Sequence, residues 1–159
     1  HVRGGLPRPH RAGSGGAKGA ARGGAEASGG RCLAKRPEYF HAAVSGAPVT
    51  HWDGYDTHYT ERYLGKPQDK PSAYPAAGAV EESVKISDPL LLIHGMSDDN
   101  VVFDNATALM AKMQGAAVPF EMMAYPGQTH RVGGPRISVH LWRTIEEFLA
   151  DHAGGPAAE

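Results

Sequence analysis

Residues 89–101 read PLLLIHGMSDDNV, an apolar run followed by a polar loop. The run 89–94 is bounded by proline and glycine and shows no alternation of apolar and polar residues. Such a continuous run is typical of a strand that is covered on both faces, as in a parallel sheet. In open parallel sheets, reactive side chains lie on loops at the carboxyl ends of the strands. The loop 95–101 is therefore the first candidate for chemistry.

The segments around this strand alternate between strand and helix patterns. Residues 41–44 and 120–125 are short and apolar, and they predict two more strands. Residues 32–36 predict the last turn of a helix, whereas residues 65–78 contain three prolines and predict irregular structure. Two further helices are predicted where apolar residues recur at helical spacing, namely Ala106, Leu109, Met110 and Met113 before Gly115, and Ile137, Leu141, Ile145 and Leu149.

This alternation predicts an α/β fold, in which a parallel sheet carries helices on its faces. About three strands are recognisable in the sequence, and a parallel sheet of three strands has too little cover for both of its faces. We therefore expect the C-terminal portion of a larger α/β domain.

The composition excludes several classes of protein. The 159 residues are 41% apolar and 21% charged, with a net charge of −1 and a single cysteine. One cysteine excludes an intrachain disulfide scaffold and a metal cluster held by cysteines alone. Near-neutral charge gives no reason to expect a nucleic-acid partner. No apolar run approaches the ~20 residues that cross a bilayer, so we expect no membrane span, and the first residues lack the apolar region of a secretory signal.

The first 31 residues differ from the rest of the chain. Gly, Ala and Arg account for 21 of them, and six Lys or Arg residues stand against one Glu. Because this segment holds little apolar surface to bury, we predict a disordered leader over 1–31, followed by a folded segment over 32–152 and a tail over 153–159. A basic RNA-binding arm is the alternative, but the segment has no aromatic residue to stack on bases.

Ionisable side chains follow two of the predicted strands. Asp98 lies in the loop after 89–94, and His130 closes the loop after 120–125. An acid after one strand and a histidine after the next is the order found in α/β-hydrolases. In those enzymes the carboxylate orients the imidazole, whose other ring nitrogen takes a proton from a serine. Asp98 and His130 are therefore candidates for an acid–base pair.

Other interpretations of these polar residues stay open. His94 ends an apolar strand and is expected to be a packed histidine that bonds to the backbone. The acidic loop 98–104 is compatible with a solvated turn or a helix cap, and it lacks the spacing and the glycine of an EF-hand calcium loop. The remaining histidines show no zinc-site spacing. We expect neither a metal nor a cofactor.

Residues 32–152 resemble the C-terminal end of the dipeptidyl peptidase IV branch of the prolyl oligopeptidase family. YTERYLG at 59–65 together with HGMSDDNV at 94–101 is specific to this branch. The other matching stretches are APV at 47–49, WDGYD at 52–56, LLIHG at 91–95, and YPG at 125–127 before the histidine at 130.

The resemblance implies a fold, an activity and roles for individual residues. The fold is the C-terminal portion of an α/β-hydrolase, and the activity is release of N-terminal Xaa-Pro or Xaa-Ala dipeptides from peptides through an acyl-enzyme on serine. Asp98 is the implied triad acid and His130 the triad base. The implied substrate-binding residues are Trp52, Tyr55, Tyr59 and Val101 around a small hydrophobic pocket, and Asn100 on the substrate carbonyl. Family members also form homodimers through their C-terminal helices.

The sequence departs from the family at the nucleophile. The family position falls nine residues before Cys32, on Gly23, and no G-x-S-x-G motif occurs anywhere in the chain. We therefore expect a fragment that carries the triad acid and base without the serine and is inactive alone. Arg131 is a lesser departure, since the family usually has glycine there. The alternatives are a fragment of a broader acyl hydrolase or esterase, and a non-catalytic interaction module that uses the apolar face of 137–149.

Overall fold

The computed structural model describes residues 19–23 and 28–152. These residues form one parallel sheet in the order β1-β2-β3-β4, with helices packed on its faces. The strands are β1 (Gly19–Gly23), β2 (Phe40–Gly46), β3 (Leu90–Gly95) and β4 (Glu121–Tyr125). The helices are α1 (Ser28–Lys35), α2 (Thr57–Leu64), α3 (Ala73–Ala77), α4 (Asp104–Gly115) and α5 (Pro135–His152), and 3-10 turns cover Trp52–Gly54 and Glu81–Lys85. The predicted α/β class is confirmed.

Side chains of the central strands alternate between the two faces of the sheet, as the strand period requires. On one face, Leu90 and Leu92 of β3 pack with α1 and α4 through buried side chains. The members of this first cluster are Leu33, Ala43, Ile86, Leu90, Leu92, Leu109 and Met113. The helix predicted from Ala106, Leu109, Met110 and Met113 is thus present, and its apolar face covers the sheet.

The opposite face of the sheet is covered by α5. Leu91 and Ile93 of β3 point to this side, together with Ala42, Val44 and Tyr125, and they meet Ile145 and Phe148 of the helix. Ile137, Leu141 and Leu149 are partly buried against the same cluster. The apolar face of 137–149 that could serve an interaction module is therefore occupied by the sheet of the same chain. The exposed apolar residues of α5 are Val139 and Trp142.

The structure describes part of residues 1–31, the segment that we predicted to be a disordered leader. Gly19–Gly23 is a strand whose backbone pairs in parallel with β2, and α1 begins at Ser28. Arg31, assigned to the leader, donates from Nη1 to the Ala77 carbonyl at 2.8 Å and lies 3.3 Å from Glu82 through Nε. The composition change at Cys32 therefore falls inside a helix. Composition reports side-chain burial, whereas a strand forms through backbone hydrogen bonds that glycine and alanine supply equally well.

The irregular segment 65–78 contains one short helix, α3, among turns. Leader residues 1–18 and 24–27 and the tail 153–159 lie outside the described residues. Across 19–23 and 28–152, no helix is long and apolar enough to cross a membrane.

We expect Leu92→Ala to lower the free energy of unfolding by about 3 kcal/mol, because it leaves a cavity between the sheet and two helices. Leu92 is fully buried in the first cluster. Urea unfolding of the whole chain, followed by tryptophan fluorescence, measures the change. Val139→Ala is the matched control, since Val139 is half exposed on α5, and it should alter stability by less than ~0.5 kcal/mol. Equal effects of the two substitutions would contradict the described core.

Candidate active site

The loops that follow β3 and β4 lie side by side at the carboxyl edge of the sheet. The strand register pairs His94 with Ala124 and Gly95 with Tyr125, so both strands end at the same level. The Met96 N–H donates to the Tyr125 carbonyl at 3.0 Å, and the Ser97 N–H donates to the Gln128 carbonyl at 2.9 Å. Backbone hydrogen bonds therefore join the loop that carries Asp98 to the loop that carries His130.

Gly95 is required where these two loops meet. A Cβ atom at this position would collide with the carbonyl oxygens of Gln128 and Thr129, which are backbone atoms and cannot rotate away. The Gln128 side chain fixes the same loop from its other end, because its Oε1 accepts from the Gly133 N–H at 3.0 Å. Sequence reasoning missed Gln128, since a glutamine in a Pro-Gly loop carries no recognisable pattern.

Asp98 and His130 are in direct contact. Nδ1 of His130 lies 2.8 Å from Oδ2 of Asp98, and the carboxylate accepts, so the proton is assigned to Nδ1. Oδ1 of Asp98 accepts from the backbone N–H groups of Asn100 and Val101, each at 2.9 Å. The Asp98 side chain is fully buried, whereas the His130 side chain is 29% exposed. A buried, fully bonded carboxylate thus orients a partly exposed imidazole.

His94 lies on the other side of Asp98. Its Nε2 is 2.8 Å from the Val101 carbonyl oxygen and 3.2 Å from Oδ2 of Asp98, and its side chain is fully buried. The expectation of a packed histidine bonded to the backbone is confirmed. The contact with Asp98 was not foreseen, because only the fold of loop 95–101 brings the two side chains together.

The aromatic residues that the resemblance selected form one cluster. The ring centroids of Trp52, Tyr55 and Tyr59 lie 5.8–5.9 Å apart, with Tyr55 edge-on to both other rings and Trp52 stacked over Tyr59. Tyr63 extends the cluster, since its ring centroid is 4.9 Å from that of Tyr59. Asp56 caps the start of α2 by accepting from the Tyr59 N–H at 3.1 Å, which fixes where Tyr59 projects. These rings form an apolar surface that is partly open to solvent.

The aromatic cluster reaches the Asp98 loop through Asn100. The Tyr55 hydroxyl donates to Oδ1 of Asn100 at 3.3 Å. Val101, the last residue of the selected set, is buried with its N–H on Asp98 and its carbonyl on His94. All seven residues selected from the sequence are therefore placed at or beside one edge of the sheet.

Asn105, at the start of α4, connects the Asp98 loop to the segment before Trp52, and sequence reasoning missed it. It is fully buried. Its Oδ1 accepts from the backbone N–H groups of Thr50 and His51 at 3.0 and 3.3 Å, and its carbonyl accepts from the Thr50 hydroxyl at 2.6 Å. Its Nδ2 donates to the Val102 carbonyl at 3.2 Å. The segment that leads into Trp52 is thus fastened to the start of α4. A polar residue near a helix start reads as a cap, so no local signal revealed this bridge.

The pKa values of two tyrosines near the site, Tyr74 and Tyr125, are raised. Burial raises the pKa of Tyr74, and Glu61 and Asp53 raise it further. Its hydroxyl donates to the Gly65 carbonyl at 2.8 Å, which anchors the end of α2. Burial also raises the pKa of Tyr125 at the end of β4. The Tyr125 hydroxyl lies 3.0 Å from Nδ1 of His140 and so links the end of β4 to α5.

The structure shows no group of three or more His, Cys, Asp or Glu side chains that could hold a metal ion within the described ranges. A cavity of about 510 Å³ lies between the Thr50–Asp53 segment, α3 and α4, where it is lined by His51, Tyr74, Glu81 and Asp104 among others. Neither Asp98 nor His130 borders it, so the cavity is separate from the acid–base pair.

We expect Gly95→Ala to separate the two loops and to lower the free energy of unfolding by about 3 kcal/mol, because the added methyl meets backbone atoms. NMR contacts between Asp98 and His130 should be lost in the variant. Gly115→Ala is the control, since a Cβ there meets nothing within 4 Å and alanine favours the helix. An intact Asp98–His130 contact in Gly95→Ala would show that the close approach is not required.

The chain is similar in sequence to members of one protein family. The model of the prolyl oligopeptidase family matches residues 13–156. Dipeptidyl peptidase 8 of Mus musculus is 34% identical over 129 residues, which cover 79% of this chain and 14% of that protein. Dipeptidyl peptidase family member 1 of Caenorhabditis elegans is 44% identical over 113 residues, which cover 70% of this chain and 13% of that protein. The chain therefore spans 13–14% of the length of these relatives.

A solved structure gives the same result. The crystal structure of dipeptidyl peptidase 4 from Porphyromonas gingivalis matches with a TM-score of 0.79 and 28% identity, covering 84% of this chain and 19% of that one. The parallel sheet and flanking helices correspond to its C-terminal hydrolase domain. The resemblance drawn from the sequence motifs is confirmed, and the chain belongs to the prolyl oligopeptidase family.

Proposed function

We propose that this chain carries the acid–base pair and the primary specificity pocket of a serine-type dipeptidyl peptidase that releases Xaa-Pro or Xaa-Ala dipeptides from peptide N-termini. The observation that carries the proposal is the 2.8 Å contact between His130 Nδ1 and Asp98 Oδ2, beside an aromatic cluster. The relatives named dipeptidyl peptidases support the substrate class over that of a general esterase.

His130 is the proposed general base. Because Nδ1 is bound to Asp98, Nε2 is the ring nitrogen that can accept a proton. In the proposed reaction, a serine oxygen attacks the scissile carbonyl carbon while its proton passes to Nε2. The same proton then goes to the leaving amine as the carbon–nitrogen bond breaks. Asp98 stays anionic throughout and stabilises the imidazolium through the Nδ1–H hydrogen bond.

The aromatic cluster is the proposed pocket for the penultimate substrate residue. Trp52, Tyr55 and Tyr59 present ring faces and edges within 6 Å of one another, which suits a small, flat side chain. A proline ring stacked there gains apolar contact and loses little conformational entropy, because it is already rigid. Branched or long side chains fit such a surface poorly.

Asn100 is the proposed donor to the substrate carbonyl. Its Oδ1 accepts from the Tyr55 hydroxyl, so the amide nitrogen is the side of the group left to face substrate. The amide orientation is assigned from this hydrogen bond. Tyr55, which lines the proposed pocket, therefore also orients the Asn100 amide that would bind the peptide backbone.

We propose that this sequence lacks the serine nucleophile that the chemistry needs. Gly23, the position that corresponds to the family serine, is the last residue of β1 and has no side chain to attack a carbonyl. No G-x-S-x-G motif occurs in the 159 residues. Loss of the nucleophile from such a triad costs about a millionfold in rate. We therefore propose that the chain alone has no peptidase activity.

We expect the purified chain to stay unlabelled by a fluorophosphonate probe, because the probe reacts with an activated serine. Intact-mass spectrometry after incubation measures covalent addition, and an active serine hydrolase in the same tube confirms that the probe is reactive. A phosphonylated chain would contradict the absence of a nucleophile. Peptide mapping of the adduct would then identify the serine, with Ser14 and Ser28 lying nearest to the strand–helix junction in sequence.

We expect the pocket to prefer proline in a binding experiment that needs no catalysis. The chain has two tryptophans, so indole N–H resonances in a 15N-labelled sample report on Trp52 with Trp142 as internal reference. Titration with Ala-Pro-amide should move the Trp52 signal further than Ala-Leu-amide does. Tyr59→Ala should reduce the shift, because it removes the ring stacked on Trp52, whereas Tyr39→Ala, at an exposed position outside the cluster, should not. Equal shifts with both peptides would contradict the assigned specificity.

A further inference from the structure

His94 has no part in the chemistry proposed above, yet it is buried in contact with the acid. Its side chain and that of Asp98 are both fully buried, and Nε2 lies 3.2 Å from the same oxygen, Oδ2, that His130 contacts from the other side. Two imidazoles therefore flank one carboxylate oxygen. A buried titratable side chain in this place needs a physical explanation.

The neighbours of the His94 ring determine where its proton lies. Both groups near Nε2, the Val101 carbonyl and the Asp98 carboxylate, are acceptors, so Nε2 must carry the hydrogen. Nδ1 is buried and has no hydrogen-bond partner among the residues that the structure describes. A second proton on Nδ1 would place an unpaired N–H donor in the core, which is costly. A hydrogen on Nε2 therefore meets an acceptor, whereas a hydrogen on Nδ1 would meet none among the described residues.

This hydrogen is bonded to the Val101 carbonyl, and Oδ2 of Asp98, in the same loop, lies 3.2 Å from Nε2. The bond to the Val101 carbonyl, 2.8 Å, closes loop 95–101 onto the end of β3. Asp98 is inside that loop, and its Oδ1 is already held by the N–H groups of Asn100 and Val101. With His94 beside Oδ2, the carboxylate is enclosed by four N–H groups, the fourth being that of His130. The carboxylate cannot rotate without giving up several of these contacts.

The ring of His94 is itself fixed by packing. Phe103 lies edge-on to it, with ring centroids 5.4 Å apart and an interplanar angle of 81°. Phe103 lies just before α4. Its contact with the His94 ring therefore joins the strand that precedes the Asp98 loop to the helix that follows the loop. Phe103 supplies apolar contact without a hydrogen bond to Asp98, which makes it a suitable control position.

We propose that His94 is a positioning residue that fixes the Asp98 carboxylate toward His130 through its ring hydrogen on Nε2. The proposal rests on the proposed function of the Asp98–His130 pair. It assigns no proton transfer to His94. The role is to hold the Val101 carbonyl with the Nε2–H group and to stand against Oδ2, so that the lone pair used by His130 stays in line with Nδ1.

The first test is the tautomer of His94 in the unaltered chain at neutral pH. Heteronuclear NMR correlating ring carbons and nitrogens distinguishes a protonated from an unprotonated nitrogen by its 15N shift. We expect Nε2 protonated and Nδ1 unprotonated for His94, and Nδ1 protonated for His130. A His94 ring with the hydrogen on Nδ1 overturns the proposal, whatever the behaviour of His130.

The second test follows the His130 Nδ1 proton in four variants. We expect a slowly exchanging, low-field resonance in the unaltered chain, and Asp98→Asn should abolish it, which assigns it to the pair. His94→Leu should also abolish it, because the carboxylate loses its second neighbour. His94→Gln should restore it, since the glutamine amide can place an N–H near the Nε2 position. Phe103→Leu should keep it, because only packing is lost.

The outcomes separate this inference from the proposed function. If the unaltered chain lacks the His130 resonance, the acid–base pair itself is contradicted. If the resonance is present and survives in His94→Leu, the pair stands and the positioning role is overturned. Urea unfolding of each variant shows whether loss of the resonance tracks stability. Equal losses in His94→Gln and His94→Leu at equal stability also count against the role, and should His94→Leu not fold, His94→Gln and the tautomer decide.

Discussion

The approach of two backbones at Gly95 is the constraint on which the site depends. The carbonyls of Gln128 and Thr129 come so close to this residue that only a hydrogen atom fits in place of a side chain. Because both loops follow parallel strands in fixed register, this contact fixes the separation of Asp98 and His130. The precision of the pair therefore comes from the sheet and from backbone hydrogen bonds, which are less free to move than long side chains.

Burial of the Asp98 carboxylate is possible because N–H groups surround it. An unpaired buried carboxylate would be strongly destabilising. Here the N–H groups of Asn100 and Val101 serve Oδ1, and the histidines at 94 and 130 face Oδ2. Of the two histidines, only His130 is accessible to solvent. The same carboxylate thus has one neighbour in the core and one at the surface, and the surface histidine is the proposed base.

Much of the fold and the pairing of Asp98 with His130 follow from local sequence patterns, whereas the aromatic residues came from the resemblance to the family. The strand 89–94 and the helix from Ala106 to Met113 were visible because burial on both faces, or on one, leaves a distinct apolar period. The strand Gly19–Gly23 was missed because its pairing with β2 uses backbone groups that every residue has. Asn105 and Gln128 were missed for a related reason. Their partners are 5 to 55 residues away, so no local spacing marks them as structural bridges.

The proposed specificity pocket and the proposed acid–base pair are held in place by the same stretch of chain, residues 98–105. The loop after β3 contains Asp98, which contacts His130, and Asn100, which accepts a hydrogen bond from the Tyr55 hydroxyl. A few residues later, Asn105 holds the segment that leads into Trp52. A displacement of this loop would therefore move the aromatic rings and the carboxylate together. In the proposed site, a proline that displaced Tyr55 would also shift Asn100, whose N–H is bonded to Asp98. Substrate recognition and proton transfer would then depend on one short stretch of chain.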